Sequence, residues 1–176
     1  MLVPNVQIIV RRSPRDPRKG LLQAGSLRFP CALGRSGTSI FKREGDGATP
    51  VASMRLLFAY QPARRIAGLV LPLPVRRPRA DLGWCDAPGH AAYNRPVRLP
   101  FAASHETLCR SDRLYDAVVV LDWNVSSRAR GKGSAIFLHV AKPGYAPTEG
   151  CVAVSARDFR RLAPYLAASS RLTVLR

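Results

Sequence analysis

The chain has 176 residues, 47% of them hydrophobic and 22% charged, which excludes a disordered chain and suits one domain (1–176) with a core of useful size. Its 28 basic residues against 11 acidic ones give a formal net charge of +17, which favours a polyanionic partner such as nucleic acid, anionic lipid or an acidic wall polymer. No segment is long and apolar enough to span a membrane.

The N-terminal run MLVPNVQIIVRRSPRDPRK sets its apolar part before its charges, the reverse of a secretory signal. Within it, VQIIVRR (6–12) predicts a first strand, and SLRFPCALG (26–34) a second. The stretch 34–51, with its glycines and a proline, predicts a long loop with turns. SMRLLFAYQ (53–61) alternates loosely, as a strand does. GLVLPLPVRRPRA (68–80) holds three prolines and reads as an edge or an extended loop. Residues 81–106 show little periodicity and read as irregular structure with one short strand at most. DAVVVLDWN (116–124) has apolar residues on both faces and predicts a buried strand. After a turn at 126–134, AIFLHVA (135–141) predicts another core strand, 142–150 a loop, and CVAVS (151–155) a short strand.

One helix is well signalled. Ser155 can cap it and Asp158 stands three positions on, while Phe159, Leu162, Tyr165 and Leu166 repeat at helical spacing. Pro164 removes a backbone donor in its middle, so the helix is expected to be short or kinked. RLTVLR (171–176) closes the chain as a strand. The fold class is therefore mostly β with one helix.

Four cysteines stand at 31, 85, 109 and 151. One working thiol would leave three, which cannot all pair within the chain, so a disulfide framework is not expected, with room for one bridge. Cys151 follows Gly150, and glycine lets a substrate approach the backbone closely. His139 precedes Cys151 by twelve residues, at the end of a strand, and the loop 142–150 can fold back so that the two meet. Acyl transfer through a thiol needs such a nucleophile, a base in reach and donors for an oxyanion. From spacing alone, the alternatives for His139 and Cys151 are a satisfied polar residue ending a core strand and a small buried side chain.

The segment IFLHVAKPGYAPTEGCVAVS resembles the active-site stretch of the YkuD-type L,D-transpeptidases, a His, a spacer, then Ser/Thr-x-Gly-Cys, here His139, Thr148, Gly150 and Cys151. FKREGDGATPV (41–51) is similar to an early segment of that family. GWCDAPGHAAYNRPVRLP (83–100) and LYDAVVVLDWN (114–124) resemble its short proteobacterial branch. The resemblance implies a YkuD-like β-sandwich with the cysteine on a rim and a short helix after it. It implies that Cys151 attacks a peptidoglycan stem-peptide amide before a D-residue and forms a thioester. His139 would accept the proton and the amides of Gly150 and Cys151 would hold the oxyanion. An amine of a second stem would then resolve the thioester, giving cross-links other than 4→3. The implied partners are donor and acceptor stems and carbapenem-type inhibitors, with no cofactor and no metal, in the periplasm or cell envelope. A hydrolase on the same scaffold, an L,D-carboxypeptidase or amidase, shares every one of these residues.

The chain departs from the family pattern at Glu149, where the family has His, and at Ala153, where it has Asn or Arg. A carboxylate pointing at a thiol would raise its pKa, so Glu149 is expected to point outward, toward a substrate amine, or to orient His139. Thr148, Tyr145 (in a loop that could cover the cleft) and Tyr115 are further substrate-binding candidates. Two or three arginines are expected to line the cleft. Cys85, His90, His105 and Cys109 are spaced C-x4-H-x14-H-x3-C, which matches no tight zinc knuckle; His105 with Glu106 reads instead as a pair near the cleft. GDGATP (45–50) lacks the Lys-Ser/Thr of a phosphate loop. A basic nucleic-acid binder is the rival on charge alone, without a helix-turn-helix, RNA-recognition or finger pattern to support it.

Overall fold

The computed structural model describes residues 7–62 and 65–176. The first strand, β1 (Gln7–Arg12), begins one residue after the predicted Val6, which lies outside the described residues. It forms a meander with β2 (Lys19–Ala24) and β3 (Leu27–Ala32). The sequence gives little sign of β2, because only Leu22 and Ala24 face inward while Lys19 and Leu21 point out. Within the loop that follows, β4 (Thr38–Ser39) and β5 (Thr49–Pro50) pair as two-residue strands.

The long strand β6 (Ser53–Tyr60) carries the edge strand β7 (Val75–Arg76), which is as short as the surrounding prolines permit. Residues 81–106 are more ordered than their sequence suggests. They supply β8 (Leu82–Cys85), β9 (Arg95–Arg98) and β10 (His105–Thr107), a separate three-stranded sheet in the order β10-β8-β9. These strands are three or four residues long and half exposed in β9 and β10, so no hydrophobic period develops. The predicted core strands follow as β11 (Val118–Leu121) and β12 (Phe137–Val140), both buried on both faces, then β13 (Val152–Val154) and β14 (Arg171–Val174).

The main sheet closes on itself. The order β11-β12-β13-β3-β2-β1-β14-β6 returns to β11 through a further β6–β11 pairing. Closure leaves β11 and β12 between two apolar clusters. Val119, Leu121 and Leu138 enter the larger core with Ile8, Leu22 and Phe29. Val118, Val120 and Phe137 turn to the opposite face, where Trp84 of β8 packs edge-on against Phe137 with ring centroids 5.3 Å apart. No helix among the described residues is long and apolar enough to cross a membrane.

The helix α1 (Ala156–Leu162) starts as predicted, with the Ser155 hydroxyl accepting from the Asp158 amide at 3.1 Å. Pro164 ends it, and a 3₁₀ turn over Ala163–Tyr165 takes its place.

Gly34 joins β3 to the loop behind the 148–151 segment. A Cβ there would lie 2.2 Å from the Gly47 carbonyl oxygen and 2.8 Å from the Thr49 amide nitrogen, both backbone atoms. Gly34→Ala is therefore expected to destabilise the fold by about 2 kcal/mol or more, as an overpacked core does. Gly89→Ala, where a Cβ meets nothing within 4 Å, is expected to stay within about 0.5 kcal/mol of wild type. Urea unfolding of the two variants checks the contrast.

Candidate active site

Strands β12 and β13 run parallel, with Leu138 beside Val152 and His139 beside Ala153. Side chains alternate across a strand, so Phe137 and His139 share a face with Cys151 and Ala153, while Leu138, Val152 and Val154 enter the core. The sequence places His139 and Cys151 on two strand ends, and the sheet sets them on one face of neighbouring strands. Both line a cleft of about 420 Å³.

The cysteine thiol is built into the strand pair. Its Sγ donates to the Ala135 carbonyl at 3.2 Å and accepts from the Phe137 amide at 3.3 Å. Burial, partly offset by the Phe137 amide, pushes the thiol up to about 12. His139 is 5% exposed, and burial pulls its pKa down to about 4. Its Nδ1 lies 2.8 Å from the Val140 carbonyl oxygen, which can only accept. Neutral His139 therefore carries its proton on Nδ1 and presents Nε2 as an open base. Tyr115 meets the imidazole edge-on at 5.2 Å and lines the cleft. Its hydroxyl donates to Glu106 (3.0 Å), which also takes a hydrogen bond from Arg110 (3.1 Å).

The segment before the cysteine is held on three sides. The Thr148 amide donates to the Leu33 carbonyl (2.9 Å), and the Arg35 amide to the Thr148 carbonyl (2.8 Å). The Thr148 hydroxyl donates to the Cys151 carbonyl at 2.7 Å and accepts from the Gly150 amide at 3.1 Å. The Gly150 amide is thus already engaged, unlike the free oxyanion donor the sequence suggests. Gly150 has φ +137, and a Cβ on it would meet the Ala48 carbonyl oxygen at 2.9 Å, so glycine is required by both conformation and space. Ala48 belongs to the GDGATP turn, in which the Asp46 carboxylate accepts from the amides of Arg43 (2.7 Å) and Ala48 (2.9 Å) and pairs with the buried Lys42. The turn is a brace for the cysteine segment.

Other candidates fall differently. Glu149 points outward, as expected, and pairs with Arg35 at 2.7 Å while still lining the cleft. Tyr145 does not line the cleft. Its hydroxyl reaches Asp158 on α1 at 3.5 Å, which makes it a loop anchor. Ala153 lies beneath the cleft, fully buried. Among the described residues, Arg110 is the one arginine in the lining, accompanied by Lys42 and Lys142. All four cysteines are free thiols. Cys85 is buried next to His105 across β8 and β10, Cys109 is exposed, and His90 and His105 both meet Phe101 edge-on. Among the described residues no three His, Cys, Asp or Glu side chains converge on a metal-sized site. Glu106 lines the cleft and His105 does not. Sequence reasoning passes over Arg110, Asp86, Ser134 and Lys42, which reach the cleft from four separate segments and share no spacing motif.

The depressed His139 pKa has a consequence for stability. The unfolded chain takes up a proton near the usual pH 6.5, and the folded chain resists until about 4. This contribution is complete above pH 6.5 and is lost as pH falls toward 4, to a total of about 3 kcal/mol. His139→Gln should lose less unfolding free energy than wild type over that interval, as read by urea titrations at pH 7 and pH 4.

The family profile for the L,D-transpeptidase catalytic domain, YkuD, matches residues 10–174. A comparison with curated proteins returned no match. Among solved structures, the chain is similar to L,D-transpeptidase 1 of Mycobacterium tuberculosis, with 12% identity and a TM-score of 0.41 over 97% of this chain and 62% of that one. It is similar to an L,D-transpeptidase from Mycobacterium smegmatis, with 12% identity and a TM-score of 0.43 over 98% of this chain and 59% of that one. L,D-transpeptidase 3 of M. tuberculosis, solved with a faropenem-derived adduct, matches at 12% identity and TM-score 0.41 over 97% and 61%. The chain thus spans about three fifths of the length of each of these structures. With the profile covering nearly all of its length, the chain belongs to the YkuD family of L,D-transpeptidase catalytic domains.

Proposed function

We propose that this chain is a cysteine acyltransferase acting on peptidoglycan stem peptides, with Cys151 as nucleophile and His139 as its base. The observation that carries this is the placement of thiol and imidazole on one face of neighbouring parallel strands, in the same cleft, in a chain of the YkuD family. Residues 1–176 act in this proposal as one catalytic domain, located in the periplasm or cell envelope.

The pKa values decide how the first step runs. Burial pushes the thiol up to about 12 and pulls the imidazole down to about 4, and both shifts favour the neutral form of the pair. The resting pair is therefore neutral, and the proton moves to His139 Nε2 as sulfur bonds to the substrate carbonyl carbon, not before. The Cys151 amide is the oxyanion donor in this scheme, because Thr148 occupies the Gly150 amide. Collapse breaks the C–N bond, and the imidazolium returns its proton to the departing amine. An amine of a second stem then attacks the thioester, its proton passes to His139, and the thiol is restored as the C–S bond breaks. Water in place of that amine would give hydrolysis. Glu149, paired with Arg35 and exposed, takes no part in the proton transfers.

Cys151→Ala should abolish both muropeptide cross-linking and covalent mass gain with a carbapenem while leaving the unfolding midpoint near that of wild type. In the wild type, kcat/KM should keep its full value down to about pH 5 and fall with a midpoint near 4, because the free base titrates there. A midpoint near 6.5 would contradict the buried-base mechanism. Glu149→Gln should leave that profile unchanged; a shifted midpoint would give Glu149 a part in the proton transfers.

A further inference from the structure

The closed sheet has two unlike walls. In its circular order β1 stands four strands from β12 in either direction, so the wall centred on β1 lies across the sheet from the strand that carries His139. β3, β2, β1, β14 and the start of β6 form this wall, and its register is continuous. Arg28 stands beside Gln23, Gln23 beside Ile9, Ile9 beside Thr173 and Thr173 beside Ser53. Two residues along, Pro30 stands beside Leu21 and Leu21 beside Arg11. The alternate residues Phe29, Leu22, Val10 and Leu172 fill the core, so the side chains of these rows face outward.

This wall is one-sided in charge. Arg11, Lys19, Arg28 and Arg171 are exposed on it, and no aspartate or glutamate lies on its five strands. The carboxylates at its margins are taken, Asp16 by Arg18 and Asp122 by Arg55. Among the described residues no carboxylate pairs with the four exposed cations. Apolar side chains stand among them: Leu21 is 42% exposed, and Leu175, just past β14, is 36% exposed. The catalytic cleft mixes both signs of charge, and neither it nor the smaller cavity beside Trp123 draws a residue from this wall.

Cations without carboxylates call for an anionic partner, and the shape of the wall selects which. Five strands spaced about 4.8 Å apart make a surface about 19 Å wide, too broad for the ~12 Å major groove of DNA. Its rows present no aromatic ring on which an unpaired base could stack, and neither cavity lies on it to take a polymer strand. A broad face of cations with scattered apolar side chains suits an anionic lipid surface. We propose that this wall docks the chain on an anionic phospholipid bilayer, with Arg11, Lys19, Arg28 and Arg171 on the headgroup phosphates and Leu21 and Leu175 in the headgroup layer. The cleft, across the sheet, then opens away from the bilayer. The inference stands independently of the reaction assigned to Cys151.

Vesicle pelleting with the full chain tests this. Wild type should bind vesicles of phosphatidylcholine with about a third phosphatidylglycerol at low salt, leave them at about 0.5 M salt, and ignore phosphatidylcholine alone. Each cation near such a surface is worth about 5-fold in affinity. Arg11→Gln, Lys19→Gln, Arg28→Gln and Arg171→Gln combined should therefore weaken binding at least about 100-fold. Arg128→Gln, Arg130→Gln, Arg157→Gln and Arg160→Gln combined remove the same charge from exposed positions off the wall, and should cost less than about 5-fold. Leu21→Ser should cost about 3-fold. Binding that does not depend on phosphatidylglycerol, or equal losses in the two combined variants, would overturn the docking surface. Tighter binding to a DNA duplex than to vesicles at equal phosphate, lost in the first variant, would make the partner a nucleic acid and overturn it too. Should the first variant fail to fold, Arg11→Gln with Arg28→Gln should lose about 25-fold, and full binding by that pair would overturn the surface. Vesicle binding by a wild type that forms no cross-links would leave the surface intact and remove the transpeptidase reading.

Discussion

Leu138 lies beside Val152 and His139 beside Ala153, because β12 and β13 run parallel in that register. A shift by one residue would send Cys151 into the apolar core and Val152 into the cleft, since strand side chains alternate. The closed sheet blocks such a shift. Val152, Val154 and Leu138 are fully buried on the core face, and β13 is also held by β3. Behind the cysteine, the 148–150 backbone bridges residues 33–35, and the 45–50 turn presses on Gly150. Three segments remote in sequence thus keep one thiol in position.

The same packing sets the chemistry. Burial keeps thiol and imidazole neutral, so reactivity depends on what enters the cleft and not on a preformed ion pair. Charges of both signs act on this neutral pair, Arg110, Asp112 and Lys142 on His139 and Glu106, Lys42 and Glu149 on Cys151. Most of the basic residues lie outside the cleft, and among the described residues Arg110 is the one that brings a guanidinium to it. Net charge is thus a poor guide to the site, because it counts a solvated surface that the cleft does not share.

The buried strands at 118–121 and 137–140 were legible because both faces are apolar, and the helix start because a cap has a short-range signature at Ser155 and Asp158. The strands at 19–24, 82–85, 95–98 and 105–107 were not. They are short, and two are half exposed, so their pairing comes from distant partners that leave no period in the chain. Glu149 shows the same limit at the site. Its outward direction followed from the cost of a carboxylate near a thiol, while its partner, Arg35, lies 114 positions away.

The sequence alone determined the mostly β class, the start of the helix, and the His139 and Thr-x-Gly-Cys pattern, because each depends on local spacing or on residue type. Only the tertiary structure decided that His139 presents Nε2, that Thr148 occupies the Gly150 amide, that Tyr145 reaches Asp158, and that Asp86 and Ser134 line the same cleft as the thiol. These are consequences of how a closed sheet brings strand ends and loops together, and of burial, which no single segment carries.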